Sequence, residues 1–558
     1  MLENNLKYLT TNTKLKIDLE SIPLEKALSG ISYAKTPNGD TVFLKSDLAM
    51  DNIEDPTKYA KSLITDKIKT LGTNDVIFVM GIGVGYILDE LFYNTKAKIV
   101  VFEPDIFYLR FIFEVIDLSK YLQEKRVFIS NSVEDCVSFI IKDYLNDDKI
   151  EFVVSDTSAL IYSRELMYFS DDLYKKLKLK IVDINTIKQL SKKWVKNIIN
   201  LTKSERDFYD VSGLENKYKN KSALILGAGP SLKDNIEKIK KNRDDFVIIA
   251  VNKTLKTLEA NGIIPDYAVF VDADLIGRTF DVSREFIEQT NIIAGYKTEN
   301  FVINLPCKNL FLYTTDQESF IKKYNDSLNL TIYETAATTT IIAFYSALHM
   351  GFEKIYFCGF DLAFKANKMY CDDRTVNIQD GKANISTINH NIVKVKSVTG
   401  EMVYTRDDYS VFIKNFEEVL EKLKLNNIYN ITDFGAYIKG MKYTSFNDIG
   451  INKVKGVKGV NETDYTDLTS IPKIDNKKFI ECLNIEKQEL LEIKTILSTN
   501  PPIQNVLHQI MGKSTFLYEY SQFDIIELTR NIGNAEFAKS FKEKILEYID
   551  EIIAMIEG

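Results

Sequence analysis

Small and hydroxyl residues follow an apolar run in the middle of this chain, and their types suit the binding of an anion. They are Gly227, Ala228, Gly229, Pro230 and Ser231, after the run 223–226. The glycines allow a tight turn and a close backbone approach, and proline favours the first turn of a helix. A helix begun near Ser231 directs free N–H groups and the positive end of its dipole at the loop, which stabilises a phosphate.

Ser231 and Asp234 have the spacing of a capping box, which predicts that the Ser231 side chain caps this helix. The lysine and hydroxyl of a P-loop are missing, so the pattern argues against an NTPase of that class. Many glycine turns only pack a helix on a sheet, and that interpretation stays open for this loop.

Two further apolar runs end in polar residues. Asn252 follows the run 247–251 and brings an uncharged amide to the same sheet edge. Asp272 and Asp274 follow the run 267–271 in the D-x-D form that holds a divalent ion against a diphosphate. Oxygen ligands suit Mg²⁺ or Mn²⁺. Acidic residues at strand ends also cap helices, so we expect no required cofactor, with Mg²⁺ or Mn²⁺ left open and Asp272 lining the site.

A second strand–helix–strand pattern follows. Thr338 and Thr339 precede an apolar helix, and the next strand ends in Gly359, Phe360 and Asp361. The threonine hydroxyls and Asp361 are predicted to face the Gly227 loop. The alternative is that the threonines cap their own helix and that Asp361 caps the next element.

The ordered motifs GAGPSL, Asn252, a hydroxyl-rich helix start, GFDLAF, TGEMVYT and ITDFGAYIKG resemble the motility accessory factor (Maf) family of flagellin glycosyltransferases. The central part is also similar to bacterial sialyltransferases that use a CMP-activated sugar. The resemblance implies transfer of a nonulosonic acid (pseudaminic, legionaminic or a related sialic-acid-like sugar) from a CMP donor to Ser or Thr hydroxyls of flagellin in the cytoplasm.

The resemblance also implies roles for particular residues. The residues 227–231, Asn252, Thr338, Thr339, Gly359 and Phe360 match the donor-nucleotide site, and Asp361 matches the aspartate of a G-x-D-L-A motif. Ala336 and Ala337 stand where relatives have glycines. Many relatives carry a histidine near position 370, where this chain has Tyr370, so the catalytic base stays open.

Tyr370 has a hydroxyl that can donate a hydrogen bond to a departing phosphate, and a histidine is the usual base near neutral pH. Of the three histidines, His390 lies downstream of GFDLAF much as the base does in the similar sialyltransferases. We therefore predict His390, Tyr370 and Asp361 as catalytic. His349 and His508 lie in helical patterns and are expected to be structural.

An earlier glycine motif resembles a nucleoside site. Gly81, Gly83 and Gly85 follow an apolar run, and Glu103 ends the next one. This pattern binds a ribose in dinucleotide enzymes and methyltransferases. Either the chain has a second nucleoside site, or this unit is an inactive scaffold of the same fold, as the resemblance favours.

These elements predict an α/β protein in three parts. Residues 1–205 form an N-terminal Rossmann-like domain with a helical bridge, 206–442 a central Rossmann-like domain of the sialyltransferase-like, GT-A type, and 443–558 a linker with a C-terminal α-helical domain. Amphipathic patterns near the C-terminus predict packing helices, with self-association or flagellin docking as the alternative.

Composition excludes several classes of protein. A net charge of −8 gives no electrostatic reason to expect nucleic acid, and five scattered cysteines form neither a zinc motif nor a disulfide framework. The first residues contain no apolar segment of the kind found in a secretion signal, and no apolar run approaches the length of a membrane span. We expect a cytoplasmic protein whose partners are the CMP-activated sugar and flagellin, and homo-oligomerisation stays open.

Two other functions remain. The Gly227 region also resembles archaeal pyrophosphokinases that act on a pterin alcohol with ATP and Mg²⁺, which would use Asp272 and Asp274. The third function is a flagellin-binding accessory factor that does not turn over, which Tyr370 and the missing glycines before Thr338 favour.

Overall fold

The computed structural model describes residues 1–9, 12–145, 147–274, 281–316, 318–334, 338–365, 368, 370–371, 377–379, 382–385, 388–449, 471, 473–531 and 533–558. For residues 377–390 it describes the backbone alone. Contacts within the chain divide it into two compact units. Unit 1 is Met1–Lys188 with Phe523–Phe537, and unit 2 is Gln189–Gln522 with Ala538–Gly558. The three-part division with boundaries at 205 and 442 stays a prediction.

Unit 1 contains a parallel sheet, a small antiparallel sheet and the helices that cover them. In chain order its elements are α1 (Leu2–Tyr8), α2 (Thr13–Ser21), α3 (Leu24–Leu28), β1 (Ile31–Lys35), β2 (Thr41–Lys45), β3 (Leu48–Ala49), α4 (Pro56–Ile68), β4 (Val76–Met80), α5 (Tyr86–Asn94), β5 (Lys98–Phe102), α6 (Ile106–Val115), α7 (Ser119–Leu122), β6 (Val127–Ser130), α8 (Val133–Lys142), β7 (Ile150–Val154), α9 (Asp156–Ile161) and α10 (Ser163–Thr202), which continues into unit 2. Its parallel strands have the order β6-β5-β4-β7.

Unit 2 alternates strands and helices and ends in helices. Its elements are β8 (Tyr209–Asp210), β9 (Ser222–Leu226), α11 (Pro230–Lys241), β10 (Val247–Val251), α12 (Leu255–Ala260), β11 (Tyr267–Phe270), α13 (Arg284–Ile287), β12 (Asn291–Gly295), α14 (Asn300–Ile303), β13 (Leu310–Thr315), α15 (Ser319–Leu328), β14 (Ile332–Tyr333), α16 (Thr339–His349), β15 (Lys354–Cys358), β16 (Asn377–Gln379), β17 (Lys382–Ile385), β18 (Ile388–Lys396), β19 (Met402–Arg406), α17 (Asp407–Leu423), β20 (Ile428–Ile431), β21 (Lys442–Thr444), α18 (Asn476–Ser498), α19 (Ile503–Gly512), α20 (Thr515–Tyr520), α21 (Gln522–Arg530) and α22 (Ala535–Glu557). All of α21 except Gln522, and the first three residues of α22, belong to unit 1.

The large sheet of unit 2 reverses its strand order in the middle. The described strands run β14-β13-β12-β11-β10-β9-β15-β20-β21, with β8 beside β13, and each of these pairs is parallel. The chain moves outward from β9 to β14 and then returns to the other side of β9 as β15. Ligands of open α/β sheets bind at such a switch point, beyond the carboxyl ends of the strands.

Apolar runs explain why the central strands are buried. β9, β10 and β11 are buried along almost their whole length, as expected for parallel strands covered on both faces. Helix α16 packs on the sheet through Ile342, Phe344 and Ala347, which belong to the unit 2 core. The α/β prediction, with Rossmann-like parallel sheets and C-terminal helices, is confirmed.

Two smaller features complete the description. Strands β16 to β19 form an antiparallel sheet in chain order. The predicted linker within 452–467 lies outside the described residues. In the described part of the chain, every helix is too short or too polar to cross a bilayer.

Candidate functional site

The switch point brings the Gly227 loop against the end of β15. Gly227 N donates to Cys358 O at 2.8 Å, and Gly229 N donates to Gly359 O at 2.7 Å. A Cβ on Gly227 would lie 2.5 Å from Gly359 O. Gly359 itself has a φ of +75°, which favours glycine. These glycines are therefore needed for backbone-to-backbone packing between two strand ends.

Ser231 and Asp361 lock this packing together. Ser231 N donates to Asp361 Oδ2 at 2.8 Å, and Gly359 N donates to Ser231 Oγ at 2.9 Å. The predicted capping box is wrong, because Gly229 is the N-cap, Pro230 begins the helix, and no side chain of the N-cap residue caps it. Asp361, which follows the neighbouring strand β15, accepts a hydrogen bond from the Ser231 amide. That amide was expected to be free for a ligand.

This arrangement changes the expected anion position. Ser231 is 1% exposed, lies behind the cleft and does not line it. Pro230 has no N–H, and the amide of Gly229 is already paired. The N-terminus of α11 thus holds the chain's own carboxylate where the sequence predicts a phosphate.

Asp361 has one hydrogen-bonded carboxylate oxygen and one that is fully buried without a partner among the described residues. Its side chain is buried but lines the cleft, and its Oδ1 has no hydrogen-bond partner among the described residues. Burial raises the pKa of Asp361 above its usual value, although the Ser231 hydrogen bonds oppose the rise. A carboxyl group in this state can accept a proton more readily than an exposed one.

The ITDFGAYIKG motif holds the Asp361 segment in place. Ala436 N donates to Asp361 O at 2.7 Å, and Asn430 Nδ2 donates to Phe360 O at 3.0 Å. A Cβ on Gly435 would lie 3.0 Å from Asp361 Cα. Leu362, the next residue, has a left-handed φ of +46°. The backbone around Asp361 is therefore fixed from both sides.

Helix α16 presents its N-terminus to the cleft. Thr338 is its N-cap, and Thr338 Oγ1 accepts from Ile341 N at 3.3 Å. The alternative that this threonine caps its own helix is therefore correct. Thr338, Thr339 and Thr340 also line the cleft, so the first amides of the helix face it. The positive end of the α16 dipole is thus available to an anion.

The cleft has a volume of about 160 Å³. Its described lining consists of Ala228, Gly229, Val251, Asn252, Lys253, Thr338, Thr339, Thr340, Gly359, Phe360, Asp361, Leu362, Tyr370, Tyr409 and Phe412. The structure thus brings together most of the predicted donor-site residues.

Asn252 and Lys253 follow β10 at the cleft. Asn252 is buried and lines the cleft. Lys253 carries the one positive charge in the described lining. Sequence reasoning missed Lys253, although its place directly after a central strand, next to Asn252, was the available signal.

An aromatic wall bounds the cleft opposite the glycines. Tyr370 and Tyr409 line it, and their hydroxyl oxygens are 3.5 Å apart. Phe412 lies one helical turn after Tyr409 in α17, and Lys253 Nζ lies 5.7 Å from the centre of the Tyr370 ring. Burial raises the pKa of Tyr409, which keeps its hydroxyl protonated. Sequence reasoning missed Tyr409 and Phe412.

The two aspartates of the D-x-D form lie in different surroundings. Asp274 pairs with Lys193 of α10. Asp272 lies at the surface, where desolvation raises its pKa and Lys253 lowers it. Among the described residues no group of three or more His, Cys, Asp or Glu side chains has a metal-binding arrangement. Asp274 is thus already engaged by a lysine, and metal binding by Asp272 and Asp274 stays a prediction.

The three histidines lie in different surroundings. His390 lies in β18, opposite Ala383 of β17, and its side chain is outside the described residues. His349 lies in the last turn of α16, against the Tyr333 ring and away from the cleft. His508 is an exposed residue of α19. The role of His390 stays a prediction.

The glycine motif of unit 1 is filled by the chain's own side chains. Asp51 Oδ2 accepts from Val84 N at 2.7 Å, and a Cβ on Gly83 would lie 2.5 Å from Asp51 Oδ1. Glu103 is fully buried and accepts from Ile82 N at 3.0 Å and from the Tyr162 hydroxyl at 2.5 Å.

Both carboxyls are unusual acids. Burial raises the pKa of Asp51 and that of Glu103 to about 7. Because Glu103 already accepts protein hydrogen bonds on both oxygens, it has little capacity left for a ribose. These contacts favour the scaffold alternative for unit 1.

The fold and the cleft define a class: an α/β protein with a Rossmann-like parallel sheet and a ligand cleft at its switch point. The structure is similar to the solved structure of a MAf glycosyltransferase from Magnetospirillum magneticum AMB-1. The TM-score is 0.65 at 15% identity, and the match covers 100% of this chain and 95% of that one. The predicted resemblance is confirmed for the fold, from one end of the chain to the other.

Two sequence comparisons cover shorter segments. A family model described as 6-hydroxymethylpterin diphosphokinase MptE-like matches residues 194–367. An uncharacterized protein of Treponema pallidum (strain Nichols) is 41% identical over 54 residues, which is 10% of this chain and 26% of that protein. The match thus spans about a quarter of the length of this curated relative.

Proposed function

We propose that this chain is a Maf-type glycosyltransferase that moves a nonulosonic acid from a CMP-activated donor to serine or threonine hydroxyls of flagellin. The observation that carries the proposal is the cleft between β9 and β15, lined by both the α16 N-terminus and Lys253. The end-to-end likeness to a MAf glycosyltransferase supports it. In this proposal unit 2 contains the sialyltransferase-like, GT-A-type domain.

The donor phosphate binds at the N-terminus of α16. The amides of Thr339 and Thr340 and the Lys253 ammonium stabilise its charge there, while the α11 amide is occupied by Asp361. Asn252 offers its carboxamide to the nucleotide. Gly227, Gly229 and Gly359 hold the two strand ends together at the edge of this site.

Transfer needs little covalent help from the protein. The bond between the anomeric carbon and the phosphate oxygen breaks, its electron pair stays on CMP, and the acceptor oxygen forms the new bond. Charge grows on the phosphate, so preorganised donors at α16 and the tyrosine hydroxyls lower the barrier. The acceptor hydroxyl loses its proton to a base, for which His390 and Asp361 are the two candidates.

Intact-protein mass spectrometry of flagellin tests this proposal directly. Flagellin is incubated with the chain and a panel of CMP-activated nonulosonic acids. We expect a mass gain of one sugar or its multiples with at least one donor, and loss of the gain in Asn252→Ala. Asn94→Ala, at an exposed asparagine of α5, is the matched control and keeps full transfer.

A missing mass gain with every donor overturns the proposal. Flagellin binding without transfer then favours the accessory-factor function. Chelation of divalent ions is included in the assay, and we expect transfer to persist because Asp274 is paired with Lys193.

The second candidate function is a pterin-type pyrophosphokinase that uses ATP and Mg²⁺. The match of residues 194–367 to an MptE-like family model favours it. That reaction needs a cation against a polyphosphate, whereas the described acidic residues form no such cluster. Release of AMP from ATP in the presence of a hydroxymethylpterin and Mg²⁺ is the outcome that supports it.

A further inference from the structure

An exposed apolar stripe runs along the first half of α10. We define the α10 stripe as Met167, Tyr168, Tyr174, Leu179 and Val182. The exposed fractions of these side chains lie between 44% and 75%. Leu160 in α9, shortly before α10 in the sequence, is 72% exposed as well. All of these residues belong to unit 1.

The stripe is separate from the face that α10 uses for packing. Phe169 and Leu173 are buried in a core of unit 1, and the Phe169 ring stacks on Phe78 at 3.8 Å. At 100° per residue, the stripe lies on the opposite side of the helix. Asp171, Lys175 and Lys178 lie among the apolar residues on that side. Exposed apolar residues grouped on one face of a helix mark interaction surfaces.

Acidic residues dominate the first half of this segment and lysines the second half. Before residue 173 lie Glu165, Asp171 and Asp172, and after it lie Lys175, Lys176, Lys178 and Lys180. At the two ends the signs are opposite, with the positive Arg164 before residue 173 and the negative Asp183 after it. A segment of this kind is complementary in charge to an antiparallel copy of itself.

We propose that the α10 stripe pairs with the α10 stripe of a second copy of this chain, antiparallel about a two-fold axis near residue 173. Met167 then faces the partner's Leu179, and Asp171 faces the partner's Lys175. Each contact occurs twice, as in any isologous interface. Asp171 and Lys175 already pair within one helix, but both side chains remain about half exposed and accessible to a partner.

The apolar area fits a dimer of moderate strength. Side chains of this size and exposure offer roughly 100 Å² each, so the stripes of two copies bury on the order of 1,000 Å² before the flanking charges are counted. That lies near the lower limit of stable interfaces. The inference does not depend on the proposed function.

Analytical ultracentrifugation of the full chain tests the pairing. We expect a dimer at micromolar concentration, and at least a tenfold weaker dimerisation in the variant Met167→Lys/Leu179→Lys. Both residues are exposed, so the variant keeps its fold, which circular dichroism verifies. Ile480→Lys, at an exposed residue of α18, is the matched control and leaves dimerisation unchanged.

Charge reversal gives a second, independent measurement. Asp171→Lys and Lys175→Asp alone each set like charges against each other across the axis and weaken the dimer. The double variant Asp171→Lys/Lys175→Asp restores every opposite-charge contact and recovers the dimer. A monomer at 100 µM wild-type chain (about 6 mg/ml) overturns the proposal. A dimer that is insensitive to these substitutions also overturns it.

Discussion

Substitution of Lys253 tests whether the positive charge in the described cleft lining contributes to donor binding. We expect Lys253→Met to raise the KM for the CMP-activated donor and to lower kcat/KM by about 10- to 100-fold, because a charge-assisted contact to phosphate is lost. Lys253→Arg retains the charge and keeps most of the activity. Steady-state kinetics with the donor identified by mass spectrometry measure both variants. Equal kinetics for Lys253→Met and the wild type would contradict phosphate binding at this lysine.

Asp361 combines a structural contact with a proposed chemical role, and two substitutions separate them. Asp361→Asn retains an oxygen for Ser231 N, so we expect near-wild-type thermal stability and a loss of kcat of about 10²-fold or more. Asp361→Ala loses that contact as well and lowers the free energy of unfolding by about 1–3 kcal/mol. Denaturant unfolding and transfer rates are the measurements. Full activity in Asp361→Asn assigns proton removal to another group.

The sequence predicts many of these residues but not their mutual contacts. Gly227, Asn252 and Asp361 were found because each follows an apolar run, and Thr338 because it precedes an apolar helix. The contact between Ser231 and Asp361 depends on β15 lying beside β9, which is a property of strand order and not of local spacing. Because of this strand order, Ser231 contacts the distant Asp361 carboxylate and does not act as the expected helix cap.

At the scale of elements, Glu486 joins the C-terminal helices of unit 2 to α15. It is fully buried in α18, where it accepts from the Ser514 and Thr515 hydroxyls at 2.7 Å. Lys323 and Tyr324 of α15 each donate to it at 3.0 Å. The amphipathic pattern predicted these helices as packing elements, but it gave no sign that a buried carboxylate connects them.

We expect Glu486→Ala to destabilise unit 2 by about 3–5 kcal/mol, because it leaves Lys323 and several donors without their acceptor. Hydrogen exchange of the amides in α19 and α20 reports the loss locally. Glu489→Ala is the matched control, since Glu489 is also an ion-pair partner of Lys323 but is partly exposed. Similar exchange in both variants would argue against a specific role for Glu486.

The carboxyls of unit 1 make stability depend on pH at the scale of the whole molecule. The pKa of Asp51 rises from 3.8 to about 7 and that of Glu103 from 4.5 to about 7 on folding. The folded state therefore binds protons that the unfolded state has released. This stabilisation is complete below about pH 4 and is lost as the pH rises to about 7.

We expect the unfolding temperature of unit 1 to fall between pH 5 and pH 7.5, with a smaller fall in Asp51→Asn. Asparagine keeps an acceptor for Val84 N but does not titrate. Scanning calorimetry at both pH values measures the difference between the two proteins, which removes the contributions that they share. An identical pH dependence would mean that Asp51 keeps an ordinary pKa.

The overall architecture was more predictable than its division into parts. Apolar runs that alternate with helical patterns identify parallel sheets, and both glycine motifs occur after strands as predicted. Helix α21 and the start of α22 contact residues of unit 1 that lie more than 300 positions earlier in the sequence. A local sequence pattern cannot predict such distant contacts.

The strand order of unit 2 also determines which contacts can form early and which form late while the chain is being synthesised. β9 can pair with β10 early, but its other neighbour, β15, begins 128 positions after β9 ends, at Lys354 against Leu226. Contacts this distant in sequence close slowly. The Gly227 loop therefore lacks its contacts with Cys358 and Gly359 until the ribosome has released β15 and the segment around Ala436. A nascent chain halted before that point has no cleft, so we expect the site to be completed late and in a single cooperative step.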